Sequence, residues 1–319
     1  MTISVNREAY RVLKDLLDEP EKYKVEIKKL PSGATIVDTG IAVKGCLEAG
    51  LKIVEIVMGG LGRASITNLD FDGLVLPVVN VYTDWPAVSL LGCQLAGWGI
   101  KVGDFSAMAS GPGRALSLKP KKVFEKIGYK DESDIAILLL ETEKYPDDNV
   151  ALEISKKCGV NPENLYLILT TTVSIAGSVQ VSGRIVETGL YRLDYLGFDP
   201  KKVICGSGFA PIMPIHPDSG VTLAREEDAL IYGGATFFAV EYDNDEELEK
   251  LMDKAPATVS KDYGRTSYEV LKEVNFDWSK LDPAFFAPGY ISVTNVKTGK
   301  TFSRGKINSE VIKKSLGVE

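Results

Sequence analysis

The chain has 319 residues, 45% of them hydrophobic and 25% charged, with a net charge of −7 and one histidine. The acidic balance argues against broad electrostatic binding to nucleic acid. The lone His216 excludes multi-histidine metal sites and leaves any Ser-His-Asp triad a single possible base. Cys46, Cys93, Cys158 and Cys205 lie far apart without a CxxC pair, so neither a zinc ribbon nor a disulfide framework is supported and reduced thiols are expected.

Residues 3–18 read as an amphipathic helix with Val12, Leu13, Leu16 and Leu17 on one stripe. The segment has neither the basic nor the apolar region of a secretion signal, and no run approaches the roughly eighteen apolar residues of a membrane span, which points to the cytoplasm. KVEIKKL and ATIVDTG, joined by Pro31-Ser32-Gly33, predict a hairpin. Ile41–Gly50 reads as a helix, and LKIVEIVM, closed by Gly59-Gly60, as a β-branched run of strand type. GLVLPVVNVYTD reads as a buried strand in which Pro77 signals an edge or a bulge. Pro86 opens a helix to about Gly97, and a glycine-rich stretch leads to Arg114. KKVFEKIG (helix) precedes DIAILLLET (strand), and Asn149–Cys158 (helix) precedes NLYLILTTT (strand). Further on come a helix over Glu226–Gly233, the strand ATFFAVEY, the charged helix DEELEKLMDKA, a mobile connection at Ala255–Asp262, and a second hairpin turning at Gly299. The pattern predicts a layered α/β fold, a mixed sheet with antiparallel hairpins at both ends, in one chain over 1–319 without repeats or a long linker.

Common motifs fail on context. GGLGRA and GSGFAP do not complete the dinucleotide fingerprint, with Pro211 where its third glycine belongs. Gly299-Lys300-Thr301 lacks the opening glycine of a P-loop, Thr294 standing there. Tyr268 and Lys272 share the spacing of short-chain dehydrogenases, but so do Tyr10 and Lys14, as chance allows on helices.

Three stretches remain. Asn164–Gly183 runs without a charge and predicts a strand entering a helix near Ser174. Continued at 100° per residue, that helix sets Ile175, Val179, Val186, Leu190 and Leu193 on one side. Gly177, Gln180, Arg184, Glu187, Thr188, Tyr191 and Tyr195 fall opposite. Arg184 and Glu187 are then neighbours. They form either an exposed ion pair worth about 0.5 kcal/mol or less, or the charged centre of a functional face whose other residues are Gly, Gln, Thr and Tyr. In FSAMASGPGRAL, residues Ser110, Gly111 and Arg114 form either an anion nest or an ordinary connection. In VICGSGFAPIMPIHPD, Met213, His216 and Asp218 either wall a flat ring or belong to an inter-element loop.

Taken in order, ASGPGRAL (109–116), SIAGSVQVSGRIVETGLYRL (174–193), DALIYGGATFF (228–238) and LDPAFFAPGYISVTNVKTGKTFSRGKIN (281–308) resemble the methenyltetrahydromethanopterin cyclohydrolase family over essentially the whole chain. Gly113 and Gly183 stand where that family carries alanine, both small-for-small changes. The resemblance implies an α/β fold of two lobes with the active-site cleft between them, and a homotrimer. It implies hydrolysis of 5,10-methenyltetrahydromethanopterin to the N5-formyl derivative, a reversible step of archaeal one-carbon metabolism and methanogenesis. The substrate is then a small pterin, with no cofactor, metal, nucleic acid or membrane partner. Catalysis is carried over to Glu187, as base for the attacking water, and Arg184, which holds Glu187 and stabilises oxygen that becomes negative. The methenyl carbon is amidinium-like and already electrophilic, so no metal is needed to polarise it. The charge of Arg184 should depress the Glu187 pKa, and desolvation should raise it. Gln180, Thr188 and Tyr191 become candidates for the ring edge, and the phosphate on the substrate's tail gives Ser110, Gly111 and Arg114 a rationale. Two rivals stand beside this reading: a phosphate-transfer or nucleotide-binding enzyme using the SGPGR loop, and a non-catalytic pterin-binding or scaffold protein.

Overall fold

The computed structural model describes residues 3–318. Ser4 caps α1 (Val5–Asp18) by accepting from Arg7 N, and the helix buries Val5, Ala9, Leu13 and Leu16. The short α2 (Pro20–Tyr23) precedes the expected hairpin of β1 (Glu26–Lys29) and β2 (Thr35–Asp38), with Ile27 opposite Val37. The next two expectations are corrected. Residues 41–46 are irregular, and the run read as a strand lies in a helix, α3 (Leu47–Val57). Ala49, Ile53, Ile56 and Val57 all reach one core, and burial at helical spacing outweighs the strand preference of β-branched residues.

A long pair, β3 (Gly62–Phe71) and β4 (Leu74–Thr83), follows. Pro77 lies at the end of a ladder rather than on an edge strand. Its carbonyl accepts from Ile212 N at 2.8 Å, and its missing N–H falls where the neighbouring strand stops. The helix expected after Pro86 is wide-turned, Ala87–Gln94, with Leu95 N reaching back to Leu90 O at 2.8 Å. The glycine-rich stretch contains an unexpected hairpin, β5 (Trp98–Val102) and β6 (Phe105–Ser110), and the turn of helix α4 (Gly113–Ser117). Next, α5 (Lys121–Ile127), β7 (Ala136–Glu141), α6 (Asp148–Cys158) and β8 (Leu165–Thr170) lie where their periodicity put them. The remainder is α7 (Ile175–Ser182), α8 (Ile185–Tyr195), β9 (Val203–Pro211), α9 (Ser219–Gly233), β10 (Ala235–Val240), α10 (Asp245–Met252), α11 (Ser267–Glu273), β11 (Tyr290–Asn295), β12 (Thr301–Gly305) and α12 (Ser309–Leu316). The connection expected to be mobile is packed: Ala255 and Ala257 are buried, and Ala257 N donates to Pro288 O at 3.0 Å.

The fold is mixed α/β, in two compact units. One takes the chain through Arg63 together with Ala87–Gln180; the other takes Ala64–Pro86 and the chain from Val181 onward. The first holds a sheet of order β1-β2-β8-β7-β6-β5, in which β2, β8 and β7 run parallel. Ile137 and Leu139 of β7 join the core beneath α1 and α3, whereas Ala136, Leu138 and Leu140 join the one beneath α6. Strands buried on both faces read as continuous apolar runs, which is why DIAILLLET was legible.

The second unit holds a sheet of order β12-β11-β10-β9-β4-β3 and a core beneath α9, α11 and α12. In that core Asp228 Oδ1 accepts from Ser267 N at 2.7 Å at the start of α11. Burial pushes the Asp228 carboxyl up to about 6 against the opposing pull of the hydrogen bond from Ser267 N. With its folded pKa above the unfolded one, Asp228 contributes stability that is present below about pH 4 and lost as pH rises through 6. Asp228→Asn keeps the acceptor and removes the ionisation. It should be near neutral at pH 4 and raise the unfolding free energy at pH 7.5 by at most about 3 kcal/mol. Denaturant unfolding at the two pH values measures this, and an equal effect at both would refute it.

Candidate active site

The helix expected from Ser174 starts there, with Ser174 Oγ accepting from Gly177 N at 2.9 Å. It does not run through. Arg184 N donates to Val181 O at 2.9 Å, a tight turn closes α7, and Ser182 Oγ ties the break to Pro211 O at 2.8 Å. The chain re-enters a helix with Arg184 at the cap position of α8, where its carbonyl accepts from Thr188 N at 2.8 Å. The single polar face expected over Gly177–Tyr195 is therefore interrupted, and Gln180 belongs to the first unit while Arg184 and Glu187 belong to the second.

Arg184 and Glu187 are each only 7% exposed, which rejects the solvated ion pair. Both belong to the start of α8, with Glu187 in the first turn, where the helix dipole and the unpaired N–H groups favour a carboxylate. Thr188 Oγ1 donates to Arg184 O at 3.1 Å, so this hydroxyl braces the cap. Tyr191 is 45% exposed; burial first, and then the charge of Glu187, push its phenol above the ordinary value, so it stays an O–H donor at neutral pH. Val186, Leu190 and Leu193 are buried. Two glycines let α8 approach the sheet this closely: a Cβ on Gly189 would fall 2.9 Å from Thr236 Oγ1, and one on Gly206 would fall 3.1 Å from Val186 Cγ1.

In the first unit Gln180 is buried and its Nε2 donates to Glu141 Oε1 at 3.3 Å. A carboxylate only accepts, so the amide nitrogen must face it. Asp38, at the end of β2, accepts from Gly40 N at 2.9 Å, Ile41 N at 2.7 Å and Ala42 N at 2.7 Å, and also from the Tyr145 hydroxyl. These hydrogen bonds hold its carboxyl below the ordinary value, although burial pulls it upward. Neither Glu141 nor Asp38 stood out in the sequence. The available signal was a lone carboxylate closing an apolar strand, in ILLLE and in TIVD.

The SGPGR loop is packed and bonded within its own unit. Ser110, Gly111 and Arg114 all lie inside the first unit. Gly111 N is taken by Cys93 O at 2.7 Å, and the wholly buried Arg114 donates through Nε to Lys119 O and through Nη1 to Leu91 O and Cys93 O. These are the bonds of a strut between backbone segments rather than of an open nest. His216 and Met213 follow the plainer reading. His216 Nδ1 accepts from Asp218 N at 3.0 Å ahead of α9, and Met213 is buried in the core of the second unit. All four cysteines are free, and burial pushes the Cys158 thiol up to about 12. Among the described residues no group of three or more His, Cys, Asp and Glu is placed to hold a metal, and no helix is long and apolar enough to cross a membrane.

A family model described as Cyclohydrolase (MCH) matches residues 4–316. The chain belongs to that cyclohydrolase family. Among its relatives, the protein of Methanococcoides burtonii is 41% identical over 317 residues, covering 99% of both chains. That of Methanocaldococcus jannaschii is 42% identical over 318 residues, covering 99% of this chain and 98% of its own. That of Methanothermobacter marburgensis is 40% identical over 320 residues, covering 99% of this chain and all of its own. Each is named methenyltetrahydromethanopterin cyclohydrolase. The span shared with the cyclohydrolase family takes in Arg184, Glu187, Gln180, Glu141 and the SGPGR loop alike.

Proposed function

We propose that the chain hydrolyses 5,10-methenyltetrahydromethanopterin to the N5-formyl compound, with Glu187 as general base and Arg184 as the group that positions it. Identity of about 40% to relatives of that name along the full length carries the reaction. Support for the residue roles is the burial of both charged side chains at the start of one helix. Water adds to the amidinium-like methenyl carbon as Glu187 takes its proton, giving a neutral tetrahedral adduct. The bond from that carbon to N10 then breaks as Glu187 returns its proton to N10, and the hydroxyl gives up its own proton to solvent as its oxygen becomes the formyl carbonyl, so that one proton is released overall. Arg184 holds the carboxylate in line and stabilises charge that gathers on the oxygen. The exposed Tyr191 phenol serves the ring edge, and Thr188 acts through the Arg184 carbonyl. The working form is a cytoplasmic homotrimer needing no resident cofactor.

Purified protein mixed with the methenyl substrate should bleach the methenyl chromophore, at a rate EDTA leaves unchanged. An absence of turnover would overturn the reaction.

A further inference from the structure

Three parallel strands of the first unit, β2, β8 and β7, end side by side at Asp38, Thr170 and Glu141. The carboxyl ends of parallel strands are where open α/β sheets bind ligands. The two acids there are not equivalent. Asp38 gathers the backbone of residues 40–42 and the Tyr145 hydroxyl, a loop clasp. Glu141 is partly exposed and is held by Gln180 Nε2, a side chain brought by α7 from the segment that follows β8. Its in-register neighbour Thr170 is buried, and the Thr170 hydroxyl has no hydrogen-bond partner among the described residues. Alternation along the two strands puts Glu141 and Thr170 on the same face as Leu139 and Ile168. A carboxylate held by Gln180 and a buried hydroxyl without a partner among the described residues thus lie side by side at this strand edge.

We infer that Glu141 is the specificity residue for a planar 2-amino-4-oxopyrimidine ring, reading the adjacent C2 amino group and N3–H as a charge-assisted donor pair, with Gln180 as the residue that positions it. This rests on the pterin reading above. The edge of such a ring offers two parallel N–H donors in one plane, the pattern a carboxylate accepts from a guanidinium fork. The 4-oxo group beside them is an acceptor for the Thr170 hydroxyl. A 2-oxo ring puts an acceptor opposite the carboxylate and is rejected, because a site built around a hydrogen bond discriminates strongly against the partner lacking it.

The test is equilibrium binding of 6-methylpterin and 6-methyllumazine, its 2-oxo counterpart, followed by ligand fluorescence, alongside turnover of the methenyl substrate. The parent protein should prefer the pterin by at least about tenfold. Glu141→Gln presents one acceptor and one donor, and it should invert that preference. It should also raise KM for the methenyl substrate at least about tenfold, with kcat changed less than about threefold. Glu141→Asp, which keeps the charge but withdraws it by a methylene, should weaken the pterin without inverting the preference. Equal losses on both rings, or parent-like selectivity in Glu141→Gln, would overturn the assignment. Parent protein that bleaches no methenyl substrate yet shows the inversion would overturn the reaction and leave the ring-recognition assignment standing.

Discussion

Glu187→Gln is expected to lower kcat for loss of the methenyl chromophore about 10²–10⁴-fold, the range supplied by a positioned general base. KM should stay within about threefold. Glutamine has nearly the volume of glutamate and still accepts a hydrogen bond, but it cannot carry away the proton of the attacking water. The loss therefore falls on the chemical step, a barrier increase of about 3–5 kcal/mol. Glu187 is only 7% exposed, so bulk water is poorly placed to substitute as the base. Because glutamine keeps the shape of the first turn of α8, the melting temperature should barely move, separating lost chemistry from lost structure. Arg184→Lys keeps the charge without the rigid fork and should cost less. Full activity in Glu187→Gln would remove the carboxylate from the mechanism, while an equal drop in stability and rate would make it structural.

The elements that sequence made legible are those whose burial pattern is local. The run Ile137–Leu140 and the β1–β2 hairpin turn announce themselves by composition and spacing. Leu51–Met58 does not: its β-branched residues suit a strand, and only packing with α1 against the first sheet makes it a helix. The break after Ser182 was hidden for a related reason, since the bond from Ser182 Oγ to Pro211 O that fastens it is made to a residue far along the chain. Arg184 and Glu187 are buried and not a surface pair, in keeping with the Gly, Gln, Thr and Tyr around them, which are a poor match for a solvated face. For the SGPGR loop, a glycine-rich string shows that backbone N–H groups can converge and is silent on whether a carbonyl has already taken them, as Cys93 O takes Gly111 N. Glu141 escaped notice because its meaning depends on strand direction. The parallel pairing of β7 with β8 makes its end a ligand-binding edge.

Arg114→Ala is expected to lower the unfolding free energy by about 3–5 kcal/mol, the scale of breaking a buried charged network. The wholly buried guanidinium gives donors to three carbonyls, Lys119 O at 2.8 Å, Leu91 O at 3.1 Å and Cys93 O at 3.3 Å. Alanine leaves all three without that donor, each at a desolvation cost of about 1–3 kcal/mol before relaxation. The side chain also lies 5.6 Å from the Phe124 ring centre, so its removal opens space between α4 and α5. Lysine is no substitute, because a point charge on a flexible stem cannot donate along three fixed directions. The signature separates a strut from a phosphate clamp. Denaturant unfolding of Arg114→Ala should shift strongly, while the native fraction at low temperature keeps KM within about twofold of the parent. An unmoved unfolding midpoint with KM raised tenfold would show instead that this guanidinium reaches the substrate.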